Sequence, residues 1–178
     1  MNTATISASL RIVLLCSGLA LLAGSCNFLR ELTSEPATSD SSINKESSLR
    51  RSIADYARKY EGSRYLYAGK SPQTGFDCSG FTNYVMKKYG VQLSPSSRDQ
   101  AKQGRPKPIQ DAMPGDLVFF RRSASEPVFH VALVIANDRK GIQVIHSTTS
   151  RGVVTDNIME SSYWRPKIDS VRDVLGGK

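Results

Sequence analysis

Gly75-Phe76-Asp77-Cys78-Ser79-Gly80-Phe81 decides how this chain reads: a turn runs into a helix and sets a cysteine at the junction. Phe81, Val85 and Tyr89 recur every four residues, an apolar stripe for one helix face, and Gly90 follows as the residue that stops it. Asp77 carries the short side chain that caps a helix N-terminus, so Cys78 falls in the first turn. Unpaired backbone N–H groups and the positive end of the helix dipole face a sulfur placed there, and both lower a thiol pKa from its free value of about 8.5. Cys78 is thereby a candidate nucleophile, with an inert buried cysteine as the alternative.

The rest of the chain weighs on that choice. Of its three cysteines, Cys16 lies inside the apolar run Ile12 to Leu22, with Arg11 before the run and Ala23-Gly24-Ser25-Cys26 after it. This is the layout of an export signal, and the run is too short to span a bilayer. Small residues followed directly by cysteine resemble the bacterial lipobox, so residues 1–25 read as a lipoprotein signal peptide and Cys26 as the acylated new N-terminus. Cys78 is then the one free thiol of the mature protein, and no intrachain disulfide can form. Residues 26–47, rich in Ser, Thr, Asn and Glu and without apolar periodicity, read as a flexible tether spanning about 25 Å.

The remainder, 48–178, is long enough for one domain of ordinary size, and 39% of the whole chain is apolar. A helix starting at Ser47 or Ser48 presents Leu49, Ile53, Tyr56, Ala57 and Tyr60 on one face. Arg64 to Gly69 alternates like a short strand with Tyr65 and Tyr67 on one side; Ser97 to Gln100 has capping-box spacing; Arg105-Pro106-Lys107-Pro108 reads as a stiff surface connection. Asp116 to Phe120 is a strand buried on both faces, and from there the chain reads as a sheet. The net charge of +8, from 24 basic and 16 acidic residues, points to an anionic partner such as a membrane surface or cell-wall polymer. Nucleic acid is set aside, because there is no basic helix, zinc-finger spacing or aromatic RNA-binding signature.

The only two histidines both lie at strand ends. His130 opens Val131 to Ile135, and His146 closes Ile142 to Ile145, with a turn at 137–140. A hairpin centred on Asp138 makes the two imidazoles direct cross-strand neighbours, their Cβ atoms about 5 Å apart. Acyl transfer needs a nucleophile, a base and a third group that orients the base, and Cys78, His130 and His146 can supply them. A zinc site is the competing reading, since one Cys and two His are legitimate ligands, but the short ligand pairs of zinc sites are missing and no metal or other cofactor is expected.

Tyr65-x-Tyr67-x-Gly69, Asp77-Cys78-Ser79-Gly80-Phe81, Pro114-Gly115-Asp116-Leu117-Val118-Phe119-Phe120, His130-Val131-Ala132 and Ile145-His146-Ser147 follow one another in the order seen in the NlpC-type cell-wall cysteine peptidases. The resemblance covers about residues 50–175. It implies an α+β, papain-like fold with N-terminal helices on a central antiparallel sheet and the cysteine at a helix N-terminus. It also implies hydrolysis of stem-peptide bonds in peptidoglycan through a thioester. In family roles Cys78 is the nucleophile, His130 the base, His146 the polar third residue and Tyr65 a contributor to the oxyanion site, with Asp77 and Ser79 lining the substrate cleft. The γ-D-glutamyl to diamino-acid bond is the expected target. A D-alanyl cross-link, or a binding module without turnover, are the alternatives. The expected form is a monomer, anchored by lipid and facing the periplasm or cell wall, on the outer rather than the inner membrane where two exist. Two departures stand out: Ala68 replaces the first of a usual glycine pair, and Ser94-Pro95 stands where many relatives have Pro-Arg, removing a cation that could meet a substrate carboxylate.

Overall fold

Helix α1 runs from Thr38 to Arg58 in the computed structural model, which describes residues 38–176. The expected export signal, Cys26 and the tether up to residue 37 lie outside the described residues. The helix thus begins before Ser47, and residues 38–47 are helical rather than tether. No Gly or Pro interrupts 38–58, and adding turns to a helix already fixed by packing needs no new nucleus. Glu46 adds an i,i+4 ion pair to Arg50 at 2.8 Å. The packed half buries Ile53, Ala54 and Ala57. Arg50, also buried, reaches Asp116 at 2.8 Å and Asp173 at 3.0 Å, tying α1 to the sheet through a charge cluster that the apolar pattern did not announce.

Six strands form one antiparallel sheet: β3 (Arg105–Lys107), β4 (Leu117–Phe120), β5 (His130–Asp138), β6 (Gly141–Thr148), β7 (Gly152–Asn157) and β8 (Ile168–Asp173), in the order β3-β8-β4-β5-β6-β7. A two-stranded hairpin of β1 (Lys70–Ser71) and β2 (Gly75–Phe76) precedes helix α2 (Cys78–Lys87), and the short helix α3 (Ser97–Gln100) follows. Side chains alternate across the sheet. Leu117, Phe119, Val131, Leu133 and Ile145 pack with Ile53 of α1 and with Phe81, Val85 and Met86 of α2. The opposite face, with Val118, Phe120, Ala132, Val134 and Val144, is covered by Ile158 and Trp164. All of β4 is buried, as its continuous apolar run demands. The α+β architecture with helices on an antiparallel sheet is the one the motifs imply.

Local expectations are corrected at several points. Arg64 to Gly69 makes an isolated bridge from Tyr65 to Phe76 rather than a strand, because Ala68 sits at φ 57, in the left-handed region that costs a non-glycine residue about 1–2 kcal/mol. Glycine, which the resemblance leads one to expect at this position, would hold that conformation without the cost. The turn also separates the tyrosines: Tyr67 is 84% exposed, while Tyr65 is partly buried. The surface connection at 105–107 is strand β3, paired with β8. The cap of α3 is Ser96 rather than Ser97, accepting from the Asp99 N–H at 3.2 Å.

The histidine hairpin turns at Arg139-Lys140, not at Asp138: Asp138 pairs with Gly141 and Ala136 with Gln143. Continued unbroken, that register would set His146 opposite Leu133 and throw His130 to the other face of the sheet. A bulge at Ile135 intervenes, and beyond it Val134 pairs with Val144 and Leu133 with Ile145. His146 therefore comes opposite Ala132, and His130, two residues away, returns to the same face as its diagonal neighbour. The histidines meet, but not by the direct pairing expected from the sequence.

Candidate active site

Cys78 is the first residue of α2, and Asp77 is its N-cap: the carboxylate accepts from the Gly80 N–H at 2.6 Å and from the Ser79 hydroxyl at 3.1 Å. Gly80 is required because a Cβ there would stand 2.0 Å from the Gly69 carbonyl oxygen, where the loop crosses the helix start. From the sheet, the Ser147 hydroxyl donates to the Phe76 carbonyl at 2.7 Å, fastening the segment before Cys78 to β6 next to His146. Buried Gln100 donates to the carbonyls of Ser79 and Ser94 and accepts from Thr82. The backbone around Cys78 is thus held from three directions.

Tyr65, Cys78 and His130 line one cavity of about 530 Å³ together with Asp156 and Trp164. His146 is fully buried behind His130. Asp77 and Ser79, expected in the substrate cleft, are not among the residues that line it; their side chains are bonded to each other. Burial pushes the Cys78 thiol up to about 11, and hydrogen bonds from the backbone of Val131, Ser79 and Cys78 offset only part of that rise. The helix-terminal amides reach the sulfur as the sequence argument requires, yet the resting group is a thiol. Tyr65 is raised by burial and then by the Asp77 charge, which keeps its hydroxyl a donor.

His130 Nε2 lies 3.0 Å from His146 Nδ1, and His146 Nε2 lies 3.0 Å from Asp156 Oδ2. The hydrogen bond from His146, opposed by burial and supported by Arg151, holds the Asp156 carboxyl well below the usual carboxylate range. Asp156 is therefore an acceptor only, and its direction fixes every proton in the line. His146 donates from Nε2, which leaves its Nδ1 lone pair to accept from His130 Nε2–H, and His130 Nδ1 keeps a free lone pair. Burial, and then His146, lower the pKa of His130 well below 6.5, so it waits as a neutral base. The Trp164 ring lies 4.7 Å from the His130 ring at 26° and stacks on it, and its indole N–H donates to Asp156 at 3.2 Å. The two histidine nitrogens that face each other are spent on a hydrogen bond rather than converging on an ion. Among the described residues no group of three or more His, Cys, Asp or Glu is placed to hold a metal.

Asp156 and Trp164 were missed in the sequence. The signal for Asp156 lay in the next hairpin: β7 sets Val154 opposite His146, so Asp156, two residues on, falls on the histidine's face.

A family model described as NlpC/P60 family matches residues 62–173. The chain is 38% identical to the gamma-DL-glutamyl hydrolase of Bacillus subtilis over 63% of this chain and 27% of that protein. It is 32% identical to the murein DD-endopeptidase MepS/murein LD-carboxypeptidase of Escherichia coli K12 over 69% of this chain and 62% of that one. It therefore spans about a quarter of the first relative and less than two thirds of the second. Among solved structures it is similar to an NlpC/P60 family protein from Bacillus cereus, with a TM-score of 0.63 and 28% identity, covering 69% of this chain and 39% of that one.

Proposed function

The chain belongs to the NlpC/P60 family, and from that premise we propose that it is a cysteine peptidase that hydrolyses stem-peptide bonds of peptidoglycan. The observation that carries the cysteine mechanism is the hydrogen-bonded line from Asp156 through His146 to His130, ending in the cavity that Cys78 shares. His130 Nδ1 takes the thiol proton as the sulfur attacks the carbonyl carbon. The Cys78 backbone N–H and the Tyr65 hydroxyl stabilise the oxyanion. Collapse expels the amine, which leaves with the proton from His130, and a thioester remains. Water, deprotonated by the same nitrogen, cleaves the thioester to the acid and restores the thiol.

The γ-D-glutamyl to diamino-acid bond is the proposed target, in keeping with the 38% identity to a glutamyl hydrolase. Opening of cross-links is the second reading, favoured by the likeness to a DD-endopeptidase. Purified protein incubated with a defined cross-linked dimer and a single tetrapeptide stem, with products read by mass spectrometry, separates them. A dipeptide released from the single stem is the expected result. Monomers with intact stems would move the assignment to the cross-link, and no product from either would remove the hydrolase.

Lipid attachment at Cys26 is proposed from the small-residue exit of the leading apolar run. It would put the domain beside its polymeric substrate at a membrane surface. Cys26→Ser is expected to move the protein from the detergent phase to the aqueous phase on partition; a variant that stays in detergent would refute the anchor.

A further inference from the structure

The catalytic cavity has two arginines, and their situations differ. Arg151 is bidentate on Asp156, with Nη1 to Oδ1 at 3.0 Å and Nη2 to Oδ2 at 2.5 Å, so its charge is already used. Arg122, in the loop after β4, has only a weak partner: Glu126 lies 3.8 Å away, beyond hydrogen-bond distance, and both side chains are about half exposed. Asp156 is the one acidic residue among those lining the cavity, and Arg151 cancels it. One cation is therefore left over, and it belongs to Arg122.

Arg122 is placed by a stack of rings rather than by an ion pair. Its guanidinium carbon sits 4.3 Å over the Phe129 ring. Phe129 is stacked on Trp164 at 12°, and Trp164 on His130 at 26°. The laminate that positions the base thus ends in the guanidinium. The Phe129 and His130 rings are 6.1 Å apart, so the cation lies within about three residues of extended peptide from the base.

The direction of the peptide follows from the chemistry. His130 must hand its proton to the leaving amine, so the leaving side of the scissile bond lies over His130 and the chain beyond it runs toward Phe129 and Arg122. We propose that Arg122 is a carboxylate-binding residue on the leaving-group side of the cleft, recognising peptides with a free carboxylate within about three residues beyond the cut. This inference rests on the peptidase reading for its direction. A guanidinium held over an aromatic ring meets no hydrogen-bond acceptor there, which leaves its N–H groups for such an anion.

The test uses the full chain carrying Cys78→Ala, so that binding is measured without turnover. Two synthetic stem peptides that differ only in having free or amidated carboxylates beyond the scissile bond are titrated by calorimetry. The free acid is expected to bind at least about tenfold more tightly, as one charge-assisted contact implies. Adding Arg122→Gln should abolish that preference while leaving the amidated peptide's affinity unchanged. Equal affinities in Cys78→Ala, a preference that survives Arg122→Gln, or no binding of either peptide overturns the proposal. Wild-type digestion of peptidoglycan is followed in parallel: digestion without carboxylate preference removes this site alone, whereas preference without digestion removes the peptidase reading and keeps the site.

Discussion

Cys78→Ala will bring peptidoglycan hydrolysis down to background, a fall of at least about four orders of magnitude, since loss of the nucleophile leaves only binding and the oxyanion donors. Equal muropeptide release by variant and wild type would sink the assignment. The same residue gives a pH prediction. With the thiol pushed up to about 11 and His130 well below 6.5, the resting pair is neutral thiol and neutral imidazole. Hydrolysis therefore gains rate as pH rises through the depressed pKa of His130 and is then level through neutrality, because the base accepts the proton during attack. Alkylation by iodoacetamide in the absence of substrate behaves differently. Only thiolate reacts, so its rate should climb about tenfold per pH unit from neutrality toward pH 10. A preformed thiolate–imidazolium pair would alkylate at a rate already level at pH 7, and that profile would overturn the general-base mechanism.

What could be read from the chain follows the range of the interactions. Asp77 capping a helix that opens with Cys78 is a local matter of side-chain length and period, and the structure has it in place. The thiol's pKa is not local: the amides of the first turn act as expected, but the burial that outweighs them is supplied by the packed sheet. For the histidines the right pair was legible and the right register was not. No glycine or polar residue marks the bulge at Ile135, which is only 4% exposed and extrudes because its side chain is needed in the core on the helix side. The polar stretch before Ser48 looked unable to fold because it buries nothing, yet its described part, 38–47, extends α1, which is anchored elsewhere. Arg122 was invisible as a site residue, since its place is set by Phe129 and Trp164, the latter from a distant loop.

Asp156→Asn is expected to cost about two to three orders of magnitude in kcat with KM little changed. The reasoning concerns protons rather than charge. Aspartate can only accept, so His146 must donate from Nε2 and pass an accepting Nδ1 to His130. Asparagine can turn its amide to donate to His146 Nε2. That stabilises the tautomer with the proton on Nδ1, which donates to His130 Nε2 and leaves the His130 proton on Nδ1, so that nitrogen has no lone pair to accept the thiol proton. When a carboxylate bonded directly to the catalytic imidazole is replaced in this way, the loss is about 10⁴. Here a second imidazole intervenes, and the misprotonated state competes with a correct one in which the amide oxygen accepts, so the expected loss is smaller. With its oxygen in the Oδ2 place Asn accepts from Trp164 and one Arg151 nitrogen, and with the amide turned it keeps only the other Arg151 nitrogen; the ring packing around Trp164 remains in either state, so the fold should persist, and thermal unfolding within a few degrees of wild type checks this. Arg151→Gln is the control: it removes the ion pair of Asp156 without altering the tautomer, and should lose less than about tenfold in kcat. A loss carried by KM, or an equal loss in both variants, would show that Asp156 only holds Trp164 and Arg151 in place. An Asn variant with undiminished kcat would take it out of the proton line altogether.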